Sequence, residues 1–269
     1  MSSDREGAPR IFERVLCAID GSAESRRVGW ETARLMPREG ALTLCAVVDP
    51  YAVESEAGVF LERATTQRME SMVTDLQAEI GALRPAEAIL REGPPARMLL
   101  AELSAERATL IALGGRSRRR AAGILLGSVA SAMLHEAPCA VLLSRGTARA
   151  DPPARCLVTV GYDGSPAARR ALAVAEALCG RLGLQLQVVS AGTGGSDASA
   201  RNGQEERRLE ISTGVLIEDP RGPVAALLGA GAGSGLMVLG SRGLHGLRAL
   251  GSVSERVAQR APCSVLVVR

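Results

Sequence analysis

Short apolar runs alternate with longer segments of helical period along the whole chain. Residues 15–19, 41–48, 87–90, 109–113 and 140–143 are dominated by Val, Leu, Ile and Ala. Short continuous apolar runs of this kind read as strands buried on both faces. Between them the period changes. A helix is predicted from about residue 22 to 36, with Ser22 placed to cap it. Residues 54–83 are polar and helical in period. Pro94 and Pro95 open a third helix, where the first turn tolerates proline. Residues 128–135 form a fourth. The same order recurs, with strands predicted at 157–160, 184–189, 215–217, 236–239 and 265–268. Residues 145–154, with Pro152 and Pro153, read as a linker.

The recurrence extends to individual residues. Val15-Leu16-Cys17-Ala18-Ile19-Asp20-Gly21-Ser22 returns as Leu157-Val158-Thr159-Val160-Gly161-Tyr162-Asp163-Gly164-Ser165. Leu126-Gly127-Ser128-Val129-Ala130 followed by Ala137-Pro138-Cys139 returns as Leu250-Gly251-Ser252-Val253-Ser254 followed by Ala261-Pro262-Cys263. Such a repeat sets the architecture before any other argument. It predicts two α/β domains, residues 11–145 and 155–269, in tandem. Alternating strand and helix makes each a five-stranded parallel sheet flanked by helices, doubly wound in the flavodoxin-like or HUP-type manner. The copies differ in length. Matching Asp20 to Asp163, Val47 to Val188, Gly114 to Gly240 and Gly127 to Gly251 places the shortening between the second and fourth strands. The second domain is therefore expected to have a reduced second helix.

Composition narrows the chemistry. The chain is 46% hydrophobic but 2% aromatic, so its cores are aliphatic. That scarcity argues against recognition of single-stranded nucleic acid by base stacking. A net charge of +3 calls for neither DNA nor a membrane as partner. The sequence contains no lysine, which removes Schiff-base and P-loop lysine chemistry. Arg116, Arg118, Arg119 and Arg120 read as a solvated face. Cys17, Cys45, Cys139, Cys156, Cys179 and Cys263 include no CxxC pair, so buried thiols in a reducing, cytoplasmic setting are expected. The charged first dozen residues predict no secretion leader, and no apolar run approaches the ~20 residues of a membrane span. His135 and His245 are isolated, so no protein metal site is expected. Residues 229–235 are glycine-rich but out of register for GxGxxG, and read as a helix end.

In a doubly wound sheet, ligands sit at the carboxyl ends of the strands where the order reverses. With strands one and four adjacent there, Asp20 would meet Gly114, and Asp163 would meet Gly240. After its fourth strand the first copy reads Gly114-Gly115-Arg116-Ser117, then nine residues to Gly127-Ser128. The second reads Gly240-Ser241-Arg242-Gly243, then seven residues to Gly251-Ser252. Glycines let backbone amides approach an anion closely. A helix beginning at Gly-Ser offers N–H groups and a favourable dipole to phosphate.

These motifs resemble the UspA family of universal stress proteins, over residues 11–269. The family's ATP-binding pattern is Gly-x2-Gly-x9-Gly-Ser/Thr after strand four, with an aspartate ending strand one. The resemblance implies that Asp20 or Asp163 lies beside the nucleoside and that Val47 or Val188 offers backbone contacts to adenine. It implies ribose and phosphate contacts from Gly114, Ser117, Gly127, Ser128 and Val129, or from Gly240, Arg242, Gly243, Gly251, Ser252, Val253 and Ser254. Both copies depart from the pattern. Ser117 replaces a glycine, which costs roughly 1–2 kcal/mol if that position is left-handed. The second loop is two residues short, and each amide lost forfeits about 1.5–3 kcal/mol of charge-assisted bonding. Three readings follow. The first is an adenine-nucleotide-binding regulatory protein, taking ATP with or without Mg²⁺. The second is a degenerate scaffold or protein-interaction module that binds no nucleotide. The third, a dedicated enzyme, is disfavoured by the absence of HxGH, SGGxDS, Walker and triad signatures, with slow ATP hydrolysis left open. The family habit of pairing through last strands implies an internal pseudo-dimer of the two halves, or a homodimer.

Overall fold

A computed structural model describes residues 10–49, 58–115, 126–145, 157–190, 215–241 and 250–269. The chain divides into two compact units, Arg10–Ala148 and one containing Arg149–Arg269. In the first unit the described strands are β1 (Arg14–Ile19), β2 (Ala41–Val48), β3 (Glu87–Glu92), β4 (Leu110–Gly114) and β5 (Ala140–Ser144). Its helices are α1 (Ala23–Leu35), α2 (Gly58–Gly81), α3 (Pro95–Ala105) and α4 (Ser128–Glu136). The second unit has β6 (Leu157–Gly161), β7 (Gln185–Ser190), β8 (Val215–Glu218), β9 (Leu236–Gly240) and β10 (Ser264–Val268). Its described helices are α5 (Pro166–Leu182), α6 (Pro223–Gly231) and α7 (Ser252–Arg260).

All neighbouring strands within each unit pair in parallel. The first sheet runs β3-β2-β1-β4-β5 and the second β8-β7-β6-β9-β10. Each is the doubly wound α/β order, with its reversal between β1 and β4 or between β6 and β9. The sheets are apolar because helices cover both faces. Leu110, Ile111, Ala112, Val141, Leu142 and Leu143 are fully enclosed in the first, and Val158, Val160, Val238 and Val265 in the second.

Helix starts follow from local chemistry. Ser22 caps α1 by accepting the Ser25 N–H at 3.1 Å, and Ser165 caps α5 by accepting that of Ala168 at 3.2 Å. Pro166 opens α5, and Gly183 closes it in the left-handed region at φ 66°. In the first unit α1 and α2 are joined by a polar clasp. Glu79 of α2 bonds the Arg26 guanidinium and accepts the Trp30 indole N–H at 3.3 Å, while the Arg34 guanidinium lies over the Trp30 ring.

Two sequence expectations shift. The third strand extends to Glu92, past its apolar stretch, because Arg91 is held to Glu102 of α3 by two hydrogen bonds, 2.6 and 3.3 Å. The register also revises the matching of the second strands. Val15 pairs with Leu42, and its repeat equivalent Val158 pairs with Leu186. Val188 is thus the counterpart of Leu44, not of Val47. The position matching Val47 is residue 191, outside the described residues. A three-residue offset is odd, so it turns the side chain to the other face. Val47 is accordingly half-buried, whereas Val188 is fully enclosed.

Candidate functional site

The carboxyl end of each central strand turns sharply at the aspartate. Gly21 and Gly164, which follow Asp20 and Asp163, have φ of 85° and 78°, a region glycine enters without penalty. The turn folds each exposed carboxylate back on the next helix. Asp20 Oδ1 accepts the Ser22 N–H at 2.9 Å and the Ser22 hydroxyl at 2.6 Å. Asp163 Oδ1 accepts the Ser165 N–H at 3.0 Å. Each aspartate is therefore both a turn residue and a carboxylate at the rim of the switch point. Ser22→Ala removes a cap and a bond to a carboxylate together. It is expected to cost about 2 kcal/mol, against about 1 kcal/mol for Ser165→Ala, when each is measured by denaturant unfolding. Equal costs would show that the Ser22–Asp20 bond adds nothing.

Gly114 ends β4 and Gly240 ends β9, so both lie on the strand next to the aspartate's, as adjacency of strands one and four requires. Their surroundings differ. A Cβ on Gly114 would meet only Glu24 Cβ, at 3.8 Å. A Cβ on Gly240 would stand 2.5 Å from the carbonyl carbon and oxygen of Ala167, in the first turn of α5. The second glycine is thus required by helix packing, whatever else it does.

Next along the chain among the described helices, α4 and α7 begin without side-chain caps. Gly127 and Gly251 occupy the N-cap positions, and Ser128 and Ser252 the first helical turn. The first intrahelical bonds run from Ser131 N–H to Gly127 O and from Glu255 N–H to Gly251 O, both 2.9 Å. The N–H groups of Ser128, Val129 and Ala130, and of Ser252, Val253 and Ser254, precede these bonds and lie outside the helical ladder. That leaves donors and a positive dipole end suited to an anion. The Ser254 side chain is already used, its hydroxyl donating to Gly240 O at 2.8 Å. Its counterpart Ala130 has no hydroxyl. Ser117, Arg242 and Gly243 lie outside the described residues, as do Arg116, His245 and Cys156.

These paired turns and uncapped helix starts match a known pattern. The universal stress protein family profile fits residues 11–145 and again residues 157–269. The chain belongs to the universal stress protein family. A universal stress protein of Mycobacterium tuberculosis is 30% identical over 97% of this chain and 98% of its own length. One from Mycolicibacterium smegmatis is 28% identical, covering 95% and 96%. The solved universal stress protein of Archaeoglobus fulgidus superimposes with a TM-score of 0.74 at 22% identity, covering 96% of this chain and 98% of that one. The agreement in fold thus spans both halves.

Within this universal stress protein, the thiols stand apart from the mouths of the sheets. None of the five described cysteines is in a disulfide, and all five are buried. Burial pushes the Cys17 and Cys45 thiols up to about 12 and that of Cys179 up to about 11. Among the described residues, no cluster of His, Cys, Asp or Glu could hold a metal ion. No helix among the described residues is long and apolar enough to cross a membrane.

Sequence reasoning missed an exchange behind the strand ends. The Ser144 hydroxyl donates to the Glu31 carboxylate, whereas the corresponding pair in the second half is Val174 and Val268, both buried.

Proposed function

We propose that this universal stress protein binds an adenine nucleotide and acts as a regulatory protein rather than as a dedicated catalyst. One observation carries the reading. In each half an aspartate turn ends one strand at the point where the strand order reverses, the neighbouring strand ends in glycine, and the helix that follows it begins at an uncapped Gly-Ser. The aspartate rim supplies acceptors for ribose hydroxyls or base N–H groups. The helix starts supply donors for phosphate. Binding to the folded form would stabilise it by mass action and bias its conformation or assembly. Buried, high-pKa thiols fit a reducing cytoplasmic setting. The pairing of the two halves, or of two chains, belongs to the same reading as its means of assembly.

Native mass spectrometry of the freshly purified chain, with calorimetric titration of ATP, ADP and AMP, tests the proposal. At least one bound adenine nucleotide per chain is expected. A bare mass together with no heat at millimolar nucleotide would refute it.

A second reading is favoured in the second half. There the glycine at the strand end is filled by α5 and the Ser254 hydroxyl is committed to that glycine's carbonyl. A half that binds no nucleotide and serves as scaffold would give a stoichiometry of one rather than two.

A further inference from the structure

We infer that Arg84 is an ionic-strength-sensitive latch on the carboxyl end of α1, closed by a guanidinium that the fold bonds at one nitrogen only. The inference is independent of the nucleotide reading above.

The last carbonyls of a helix need donors from beyond its own ladder. The end of α5 closes on itself. Gly183 takes the left-handed conformation at φ 66°, and the Leu184 N–H donates to Cys179 O at 3.0 Å. Its counterpart α1 ends without such a glycine. Met36 leaves that helix in extended conformation, with φ −83° and ψ 149°. The donor comes instead from the link between α2 and β3. Arg84 Nη2 donates to Met36 O at 3.2 Å and to Pro37 O at 2.7 Å. The backbone places Arg84 for this, its N–H donating to Ile80 O at 3.0 Å at the end of α2. Gln77 of α2 pins the same link, its Nε2 donating to Ala86 O at 2.7 Å.

The clamp is only half satisfied. Arg84 is 7% exposed, and its Nε and Nη1 are buried without a hydrogen-bond partner. In Arg91, by contrast, Nε, Nη1 and Nη2 are all bonded, to Glu102 and to Leu90 O. Idle donors on a buried charge favour any state that returns them to water. Glu39 opposes this, as an exposed carboxylate in the same turn as Pro37. Burial pushes the Arg84 guanidinium below its ordinary range, and the Glu39 carboxylate pulls it back up.

That attraction depends on a solvent-exposed group, so dissolved salt weakens it. The idle donors work to open the latch, Glu39 holds it, and ionic strength sets the balance. Opening frees residues 36–40 and 82–86 together while the sheet stays closed. The latch therefore holds the far end of the helix whose first turn frames Asp20.

Native-state hydrogen exchange of the full chain tests this. It is read at the amides of Met36 and Gly40 on one side of the latch and of Leu83 and Arg84 on the other, which bond to Thr32, Pro37 and Ile80 carbonyls. The two segments should open together, and about tenfold or more often than the amides of β1. Raising salt from about 0.05 M to about 0.5 M should increase their opening about threefold. Leu184, at the self-closed end of α5, is the control and should not respond. Glu39→Gln should give a similar rise at low salt and remove the salt response. Arg84→Met should remove that response too, whatever its resting exchange, whereas Arg84→Lys should keep it because the charge remains. Exchange of the two segments only together with β1, no salt response in the unaltered chain, or a response that survives Glu39→Gln or Arg84→Met would overturn the inference and leave Arg84 a plain helix cap.

Discussion

Raising the pH above 9 should destabilise the first half through Cys17 and Cys45 and the second through Cys179. Thiols ordinarily ionise near 9.0, but burial holds Cys17 and Cys45 protonated to about 12 and Cys179 to about 11. Above pH 9 the unfolded chain has released these protons while the folded chain retains them. The folded state then binds more protons, so its stability falls with rising pH. The stabilisation is fully present below pH 9 and is lost as pH climbs towards the folded-state values. Each group contributes about 1.4 kcal/mol per pH unit. Cys17 and Cys45 together should cost the first half about 2.7 kcal/mol per unit, and Cys179 should cost the second about 1.4. By pH 11 these two thiols alone would have cost the first half about 5 kcal/mol, comparable to the whole stability of many domains. Hydrogen exchange in reducing buffer at pH 7, 9 and 10, with urea series at each, resolves the two halves. A Cys17→Ala, Cys45→Ala chain is the control. It starts from a lower stability, but the slope of its first half should flatten. A slope indifferent to that substitution would reject the account.

Gly240→Ala should cost about 3 kcal/mol, while Gly114→Ala should change stability by less than about 0.5 kcal/mol. The added methyl on Gly240 would lie 2.5 Å from main-chain atoms of Ala167 and 2.9 Å from its Cβ. Backbone at the start of a helix cannot give way as a side-chain tip does. Either α5 lifts from the β9 end or the strand end shifts, and both disturb the part-buried Ser254–Gly240 bond. On Gly114 the nearest atom is 3.8 Å away, an ordinary contact. For a half of this size, the Gly240 variant should lower the midpoint of unfolding by on the order of 10 °C in calorimetry. Similar midpoints for the two variants would show that α5 adjusts freely, and the packing explanation of Gly240 would then fail.

Much of the fold was readable from the residues because the determinants are local. The apolar runs that became β1, β4, β5, β6, β9 and β10 are buried on both faces, so no alternation was needed to find them. Ser22 and Ser165 cap helices one residue downstream. The order of strands followed from the alternation of strand and helix. What escaped was decided across the sheet. Arg91 is the fifth residue of a strand because Glu102 holds it from the next helix, a partner that no window on the strand contains. Val47 and Val188 looked equivalent because both end a Val-rich run, yet pairing with β1 and β6 sets them three positions apart. Gly240 read as a ligand glycine, and only its proximity to Ala167 revealed a packing demand.

The chain's one tryptophan, Trp30, sits in the α1–α2 clasp, its indole N–H on Glu79 and its ring under Arg34. Its emission therefore watches the first half alone. A two-domain protein usually needs an engineered label before its parts can be followed separately. Here the sequence supplies the label, and loosening of α2 from α1 should shift the colour of the light while the other half stays dark to the measurement.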